Sequence, residues 1–104
     1  MSMPVFVSPA GVQALFDRDG ECGAARACAE AGVIFGLSQH ATRSIEQVAT
    51  AAPTANKWFQ SYILKDRDLT LHLVRRAAKA GYRGVFLTVD SVRFGYREAD
   101  ARNG

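Results

Sequence analysis

The stretch Gly84-Val85-Phe86-Leu87-Thr88-Val89-Asp90 is the most informative part of this chain. Its apolar run is typical of a buried strand. Thr88 and Asp90, at the carboxyl end, share one face because side chains alternate along a strand. A polar loop with Arg93 and Arg97 follows. A hydroxyl and a carboxylate fixed beside guanidinium groups are typical of a site for a small anionic substrate.

Strands and helices alternate upstream of this stretch. The apolar runs predict four strands, which we expect to be buried almost throughout, as in a parallel sheet covered by helices. These strands comprise residues 5–7, 33–37, 58–63 and 84–89. Strands that alternate with helices predict parallel pairing through helical crossovers.

Three helices are predicted between the strands. The first is rich in alanine and is capped by Asp19. The second opens with the capping-box spacing of residues 44–47. The third is capped by Asp66 or Asp68 and carries an apolar stripe on one face.

Polar side chains collect at the carboxyl ends of the predicted strands. They are Ser38, Gln60, Tyr62, Thr88 and Asp90. In (β/α)-barrels and in doubly wound sheets the functional site lies at these ends. Four strands are half of an eight-stranded barrel. Because a complete barrel takes about 250 residues, these 104 residues cannot form a whole one. A small doubly wound binding domain is disfavoured, because no glycine-rich phosphate loop follows the first strand.

Composition narrows the possible functions. The chain has 104 residues and a net charge of +3, and its arginines are scattered, which argues against nucleic-acid binding. No apolar run approaches the roughly 20 residues that span a bilayer, and no signal peptide is predicted. Cys22 and Cys28 are expected to stay unpaired in a reducing compartment. No metal site is predicted.

Several motifs occur here in the order in which one known family carries them. They are Ser8-Pro9-Ala10-Gly11, Asp19-Gly20-Glu21, Leu37-Ser38, Trp58-Phe59-Gln60, Lys65-Asp66-Arg67, Arg75-Arg76-Ala77, Leu87-Thr88-Val89-Asp90 and Arg97-Glu98-Ala99-Asp100. Through them the chain resembles the middle part of the FMN-dependent 2-hydroxy-acid oxidoreductases. That family includes glycolate oxidase, lactate oxidase and monooxygenase, mandelate dehydrogenase and the flavocytochrome lactate dehydrogenases.

The resemblance implies an α/β fold, part of a (β/α)₈ barrel, with FMN at the carboxyl ends of the strands. Backbone groups around Ala10 and Gly11 would lie along the flavin ring. Three side chains would hydrogen-bond the edge of that ring. These are Ser38, Gln60 and Thr88.

The resemblance also implies roles toward substrate. Tyr62 and Arg97 would hold the carboxylate and hydroxyl of the 2-hydroxy acid. Asp90 would orient the catalytic histidine and stabilise its protonated form. His40 occupies a substrate-facing position that is often Trp in the family. From the residues alone, Asp90 is equally consistent with a helix cap, and His40 with a loop histidine that has no role.

We therefore expect residues 1–104 to be the first half of an FMN-dependent dehydrogenase barrel. The intact protein would oxidise a small L-2-hydroxy acid to the 2-oxo acid by hydride transfer to flavin. The family's catalytic histidine and its main phosphate site have no counterpart in these residues. The alternative is a truncated, non-catalytic half-barrel.

Intact family members are expected to be homo-oligomers. The substrate, the electron acceptor and the compartment, cytoplasmic or peroxisomal, stay open.

Overall fold

A computed structural model describes residues 1–91 and 98–103. The strands are β1 (Phe6–Ala10), β2 (Ile34–Leu37), β3 (Asn56–Tyr62) and β4 (Gly84–Thr88). The helices are α1 (Gly20–Ala31), α2 (Ile45–Ala51), α3 (Arg67–Lys79) and α4 (Glu98–Asn103), and a short 3-10 helix at Gln13–Leu15 follows β1. No helix in the described part of the chain has both the length and the apolar content needed to cross a membrane.

The four strands form one sheet in the order β1-β2-β3-β4, and every neighbouring pair is parallel. The predicted α/β class and the parallel pairing are confirmed. Because parallel strands end at the same edge of a sheet, the loops that leave β1, β2, β3 and β4 share one rim.

The main core lies beneath the two central strands, where helices pack on the sheet. Phe35 and Leu37 of β2, Phe59 of β3 and Val48 of α2 are all buried. Residues 35–37 of β2 and Ser38 directly after it are buried without a break, as expected for the interior of a parallel sheet.

The edge strands depart from the prediction of burial. On β1, Phe6 is 53% exposed, and on β4, Leu87 is 50% exposed. Val89, predicted as strand, lies beyond β4 and is exposed. Burial was wrongly predicted here because an edge strand has a pairing partner on one side only, and the described residues place no cover over much of these two strands.

Aromatic side chains show that the sheet is curved. Phe6 on β1 stacks on Phe86 on β4, with ring centroids 5.5 Å apart. β1 and β4 are the two opposite edge strands of the sheet. In a flat sheet, three strand spacings would separate them by about 14 Å. Trp58 on β3 completes the cluster, 5.0 Å from Phe86 between centroids. Curvature toward this face is what closure into a barrel requires.

Several element boundaries differ from the predicted ones. β1 extends through Ala10, with an irregularity in its pairing between Val7 and Ala10. Pro9 lies in this stretch, and a proline is tolerated there because β1 is an edge strand. α4 was not predicted, because Glu98 and Asp100 were assigned to a polar loop.

The helix caps were predicted in part. The Asp66 side chain accepts a hydrogen bond from Leu69 N at 3.0 Å, and the capping box at the start of α2 is present. Asp19 stands at the N-cap position of α1 but makes no capping bond with its side chain. Its backbone is helical rather than extended, and its carboxylate pairs with Arg26 instead. The two cysteines are free, as expected.

The contact between Gly84 and Trp58 yields a stability prediction. A Cβ at position 84 would lie 2.6 Å from the Trp58 ring, so Gly84→Ala forces the ring to move. We expect a loss of roughly 1–3 kcal/mol in the free energy of unfolding, the usual cost of overpacking, measured by urea denaturation. In a Trp58→Leu background this cost should largely disappear. An equal cost in both backgrounds would show that the ring contact is not its cause.

Candidate active site

The side chain of Gln60 connects three strands at the rim. Its Oε1 accepts hydrogen bonds from Gln39 N at 3.0 Å and from Ser38 Oγ at 3.4 Å. Its Nε2 donates to Thr88 Oγ1 at 2.8 Å. Gln60 is 5% exposed, so these bonds meet the requirement that a buried amide be paired. The prediction that Ser38, Gln60 and Thr88 lie at one common end of the sheet is confirmed.

A cavity of about 360 Å³ opens above this amide. Its lining residues are Ser8, Pro9, Gly11, Ser38, His40, Gln60, Tyr62, Thr88 and Asp90. The structure thus brings most of the predicted site residues to one place. Ala10 ends β1 directly before Gly11. Arg97 lies outside the described residues.

His40 forms one wall of the cavity. Its ring lies 5.3 Å from that of Tyr62 between centroids. Its backbone N–H donates to Ser38 Oγ at 3.1 Å, and its carbonyl accepts from Val12 N at 3.1 Å. A Cβ at Gly11 would lie 3.3 Å from the His40 Cβ and carbonyl oxygen. This close approach of the β1 and β2 loops explains why position 11 suits glycine.

Gln39 is a supporting residue that sequence reasoning missed. Its Oε1 accepts from Tyr62 N at 2.9 Å and from Ser61 Oγ at 3.2 Å. The side chain therefore holds the backbone at the end of β3, from which Tyr62 enters the cavity. Nothing in the local sequence signals this role, because the partners are 22 and 23 residues away.

Glu21 is a second residue whose role was missed, although it belongs to a quoted motif. It lies in the first turn of α1 and is fully buried. Burial alone would raise the pKa of its carboxyl, but hydrogen bonds from the Thr42 hydroxyl, from Thr42 N and from Gln13 N hold that pKa below its ordinary value. Glu21 is therefore a buried carboxylate that accepts three hydrogen bonds beside the site.

Comparison with known proteins identifies the family. The sequence model of the FMN-dependent dehydrogenases matches residues 1–104. The chain belongs to this family. It is similar to glycolate oxidase 1 of Zea mays, with 48% identity over 103 residues, and to glycolate oxidase of Spinacia oleracea, with 45% identity over 103 residues. Each alignment covers 99% of this chain and 28% of the relative, so the chain spans about a quarter of the length of these curated relatives.

Solved structures confirm the fold. A mandelate oxidase with (S)-2-phenylpropionate superposes with a TM-score of 0.91 at 39% identity, covering 97% of this chain and 30% of that one. The flavin-binding domain of baker's yeast flavocytochrome b2 superposes with a TM-score of 0.90 at 33% identity, covering 97% and 27%. The predicted family and the partial barrel are thus both confirmed.

The cavity has the chemistry that FMN, the family's cofactor, requires. The edge of a flavin ring presents alternating hydrogen-bond donors and acceptors, and a hydroxyl or a carboxamide can meet either kind. Ser38, Gln60 and Thr88 carry such groups, are hydrogen-bonded to one another in that order, and all line the cavity. Gly11, which has no side chain, also lines the cavity, at a close approach to the His40 backbone. No residue lining the cavity is Lys or Arg in the described part of the chain.

The bonds of Gln39 give a testable prediction. Gln39→Leu removes the acceptor for Tyr62 N, a partly buried donor, and leaving such a group unpaired costs up to about 1–3 kcal/mol. We expect faster amide hydrogen exchange at Tyr62, with the amide of Phe59 in the middle of β3 as internal reference. Unchanged exchange at Tyr62, with a native spectrum elsewhere, would mean that Gln39 does not hold the strand end.

Proposed function

We propose that this chain supplies the flavin-facing wall and part of the substrate site of an FMN-dependent oxidoreductase that converts a small L-2-hydroxy acid to its 2-oxo acid. The observation that carries the proposal is the hydrogen-bonded row Ser38–Gln60–Thr88 facing the cavity. Family membership supports the reaction class, and relatives named as glycolate and mandelate oxidases support the substrate class.

The row of polar side chains acts by orienting the cofactor. Thr88 Oγ1 accepts from Gln60 Nε2, so the hydroxyl proton of Thr88 is left to donate to an acceptor in the cavity. Gln60 Nε2 keeps a second N–H for the same purpose. Gln39 N and Ser38 Oγ both donate to Gln60 Oε1, so the carboxamide cannot rotate by half a turn without losing these bonds. FMN, when bound, supplies the hydride-accepting chemistry, and the protein supplies orientation and electrostatics.

Tyr62 and Arg97 are proposed to hold the substrate. A phenol hydroxyl donates one hydrogen bond, and a guanidinium can clamp a carboxylate with two. Together they would fix the carboxylate and the hydroxyl of a 2-hydroxy acid. His40, which contacts the Tyr62 ring, would limit the substrate's side chain on that wall.

Asp90 is proposed to act on a histidine that these 104 residues do not contain. It follows β4 and lines the cavity. In the intact enzyme this carboxylate would hold the histidine's imidazole in place while the imidazole takes the substrate hydroxyl proton. Its negative charge would then stabilise the imidazolium, an interaction that strengthens in the transition state.

A chimera tests the proposal. In it, this chain replaces the matching 103 residues of maize glycolate oxidase. We expect the chimera to bind FMN and to oxidise glycolate, and Gln60→Leu to weaken flavin binding by roughly tenfold or more, the effect of losing a buried hydrogen bond of about 1.4 kcal/mol. His72→Ala, on the exposed surface of α3, is the control. The isolated chain should bind FMN weakly and show no turnover. A folded chimera that binds no FMN would favour the non-catalytic half-barrel.

Two substitutions in the chimera separate the proposed roles. Arg97→Lys should raise KM and lower kcat, because a point charge replaces a bidentate clamp. Asp90→Asn should mainly lower kcat, because it removes charge that matters most in the transition state. Steady-state kinetics provides the measurement. If Asp90→Asn raises KM at unchanged kcat, then Asp90 binds substrate or supports structure, and its assignment as the histidine's partner is wrong.

A further inference from the structure

Glu21 does not line the cavity, yet its bonds end on the two loops that do. Its Oε1 accepts from Gln13 N at 3.1 Å, in the loop after β1. The same oxygen accepts from Thr42 N at 2.8 Å, in the loop after β2. Its Oε2 accepts from Thr42 Oγ1 at 2.6 Å. One buried carboxylate therefore connects both loops.

Thr42 extends this connection. Its Oγ1 donates to Glu21 and accepts from Ala14 N at 3.1 Å, which makes a second bridge back to the β1 loop. We call this set the Glu21 clamp: Glu21, Thr42, and the backbone N–H groups of Gln13 and Ala14. Hydrogen bonds to a charged acceptor such as the Glu21 carboxylate are stronger than those between neutral groups.

In each of the two loops, a residue that lines the cavity lies two positions before the residue that binds Glu21. Gly11 precedes Gln13 by two residues, and His40 precedes Thr42 by two. The loops also meet directly, because Val12 N donates to the His40 carbonyl at 3.1 Å. There is little slack between them, since a Cβ on Gly11 would already touch His40 at 3.3 Å. The spacing of Gly11 and His40 thus depends on groups that the Glu21 clamp fixes.

We propose that Glu21 is a positioning residue, which sets the distance between the β1 and β2 loops and so holds Gly11 and His40 in place along the flavin and the substrate. This inference rests on the proposed function, which identifies the ligands as FMN and a 2-hydroxy acid. It differs from a purely stabilising role, in which losing the clamp lowers the melting temperature and leaves the cavity unchanged in the folded protein.

The test uses the glycolate oxidase chimera with three substitutions at position 42 or 21. Thr42→Val removes the hydroxyl bridge while keeping the shape and the backbone bond to Glu21. Thr42→Ser restores the hydroxyl. Glu21→Gln removes the charge. Thr50→Val, exposed on α2, is the matched control for the same change of chemistry. The readouts are FMN affinity by fluorescence titration, KM for glycolate, and amide hydrogen exchange over residues 11–14 and 39–42 in the flavin-free protein.

We expect Thr42→Val and Glu21→Gln to weaken FMN binding about tenfold, as the loss of one such hydrogen bond implies, and to raise KM. Exchange should speed up in both loops. Thr42→Ser and Thr50→Val should behave like the unsubstituted chimera. A lower melting temperature with unchanged FMN affinity and KM would overturn the proposal, as would unchanged loop exchange. If the unsubstituted chimera binds no FMN, the proposed function fails instead, and loop exchange alone then decides whether the clamp exists.

Discussion

The carboxamide of Gln60 is the group on which the candidate site depends. It is buried on β3, and its partners lie on the two flanking elements, the loop after β2 and the end of β4. An amide has distinct donor and acceptor ends, so its orientation decides which neighbouring groups remain available to a ligand. Here the acceptor end is taken up by Ser38 and Gln39, and the donor end reaches Thr88. The result is a row of polar groups whose directions are fixed before any ligand arrives, which lowers the cost of binding.

Support for this row comes from residues just behind it. Gln39 holds the end of β3, and Glu21 ties together the loops after β1 and β2. Buried polar groups of this kind are costly when half satisfied and rigid when fully satisfied. Hydrogen bonds among strand ends and loops therefore fix the positions of the site residues, and the apolar core beneath the sheet brings the strand ends near one another.

The sheet shows how much of a barrel this segment defines. Its curvature brings Phe6 and Phe86, on opposite edges, into ring contact. Its edges keep large apolar side chains about half exposed, as Phe6 and Leu87 show. In relatives, this segment is 28–30% of a longer chain, and the similarity of the fold there is high. The exposed apolar edges are consistent with a sheet that continues beyond its four strands.

Sequence reasoning predicted the four parallel strands and the positions of Ser38, Gln60 and Thr88 at one end of the sheet, because apolar runs and strand-end polarity are local signals. It missed Glu21 and Gln39 as supports, because their partners lie 21 to 23 residues away or in another loop. Burial of β1 and β4 was overestimated, because composition does not distinguish an edge strand from a central one. Asp19 was assigned as a cap from residue type, whereas its helical backbone and Arg26 direct its carboxylate elsewhere. The functional roles of all the site residues stay predictions. They are the flavin contacts of Ala10, Gly11, Ser38, Gln60 and Thr88, and the substrate or catalytic roles of Tyr62, Arg97, Asp90 and His40.

The most direct test of the central claim is a crystal structure of the glycolate oxidase chimera grown with FMN. The account predicts that Gln60 Nε2 and Thr88 Oγ1 lie within hydrogen-bonding distance of the flavin ring, with the Gly11 backbone along the ring's face and the amide held by Ser38 and Gln39 as it is here. A flavin bound with Gln60 turned away from the ring, or seated outside the cavity bounded by His40 and Thr88, would contradict it.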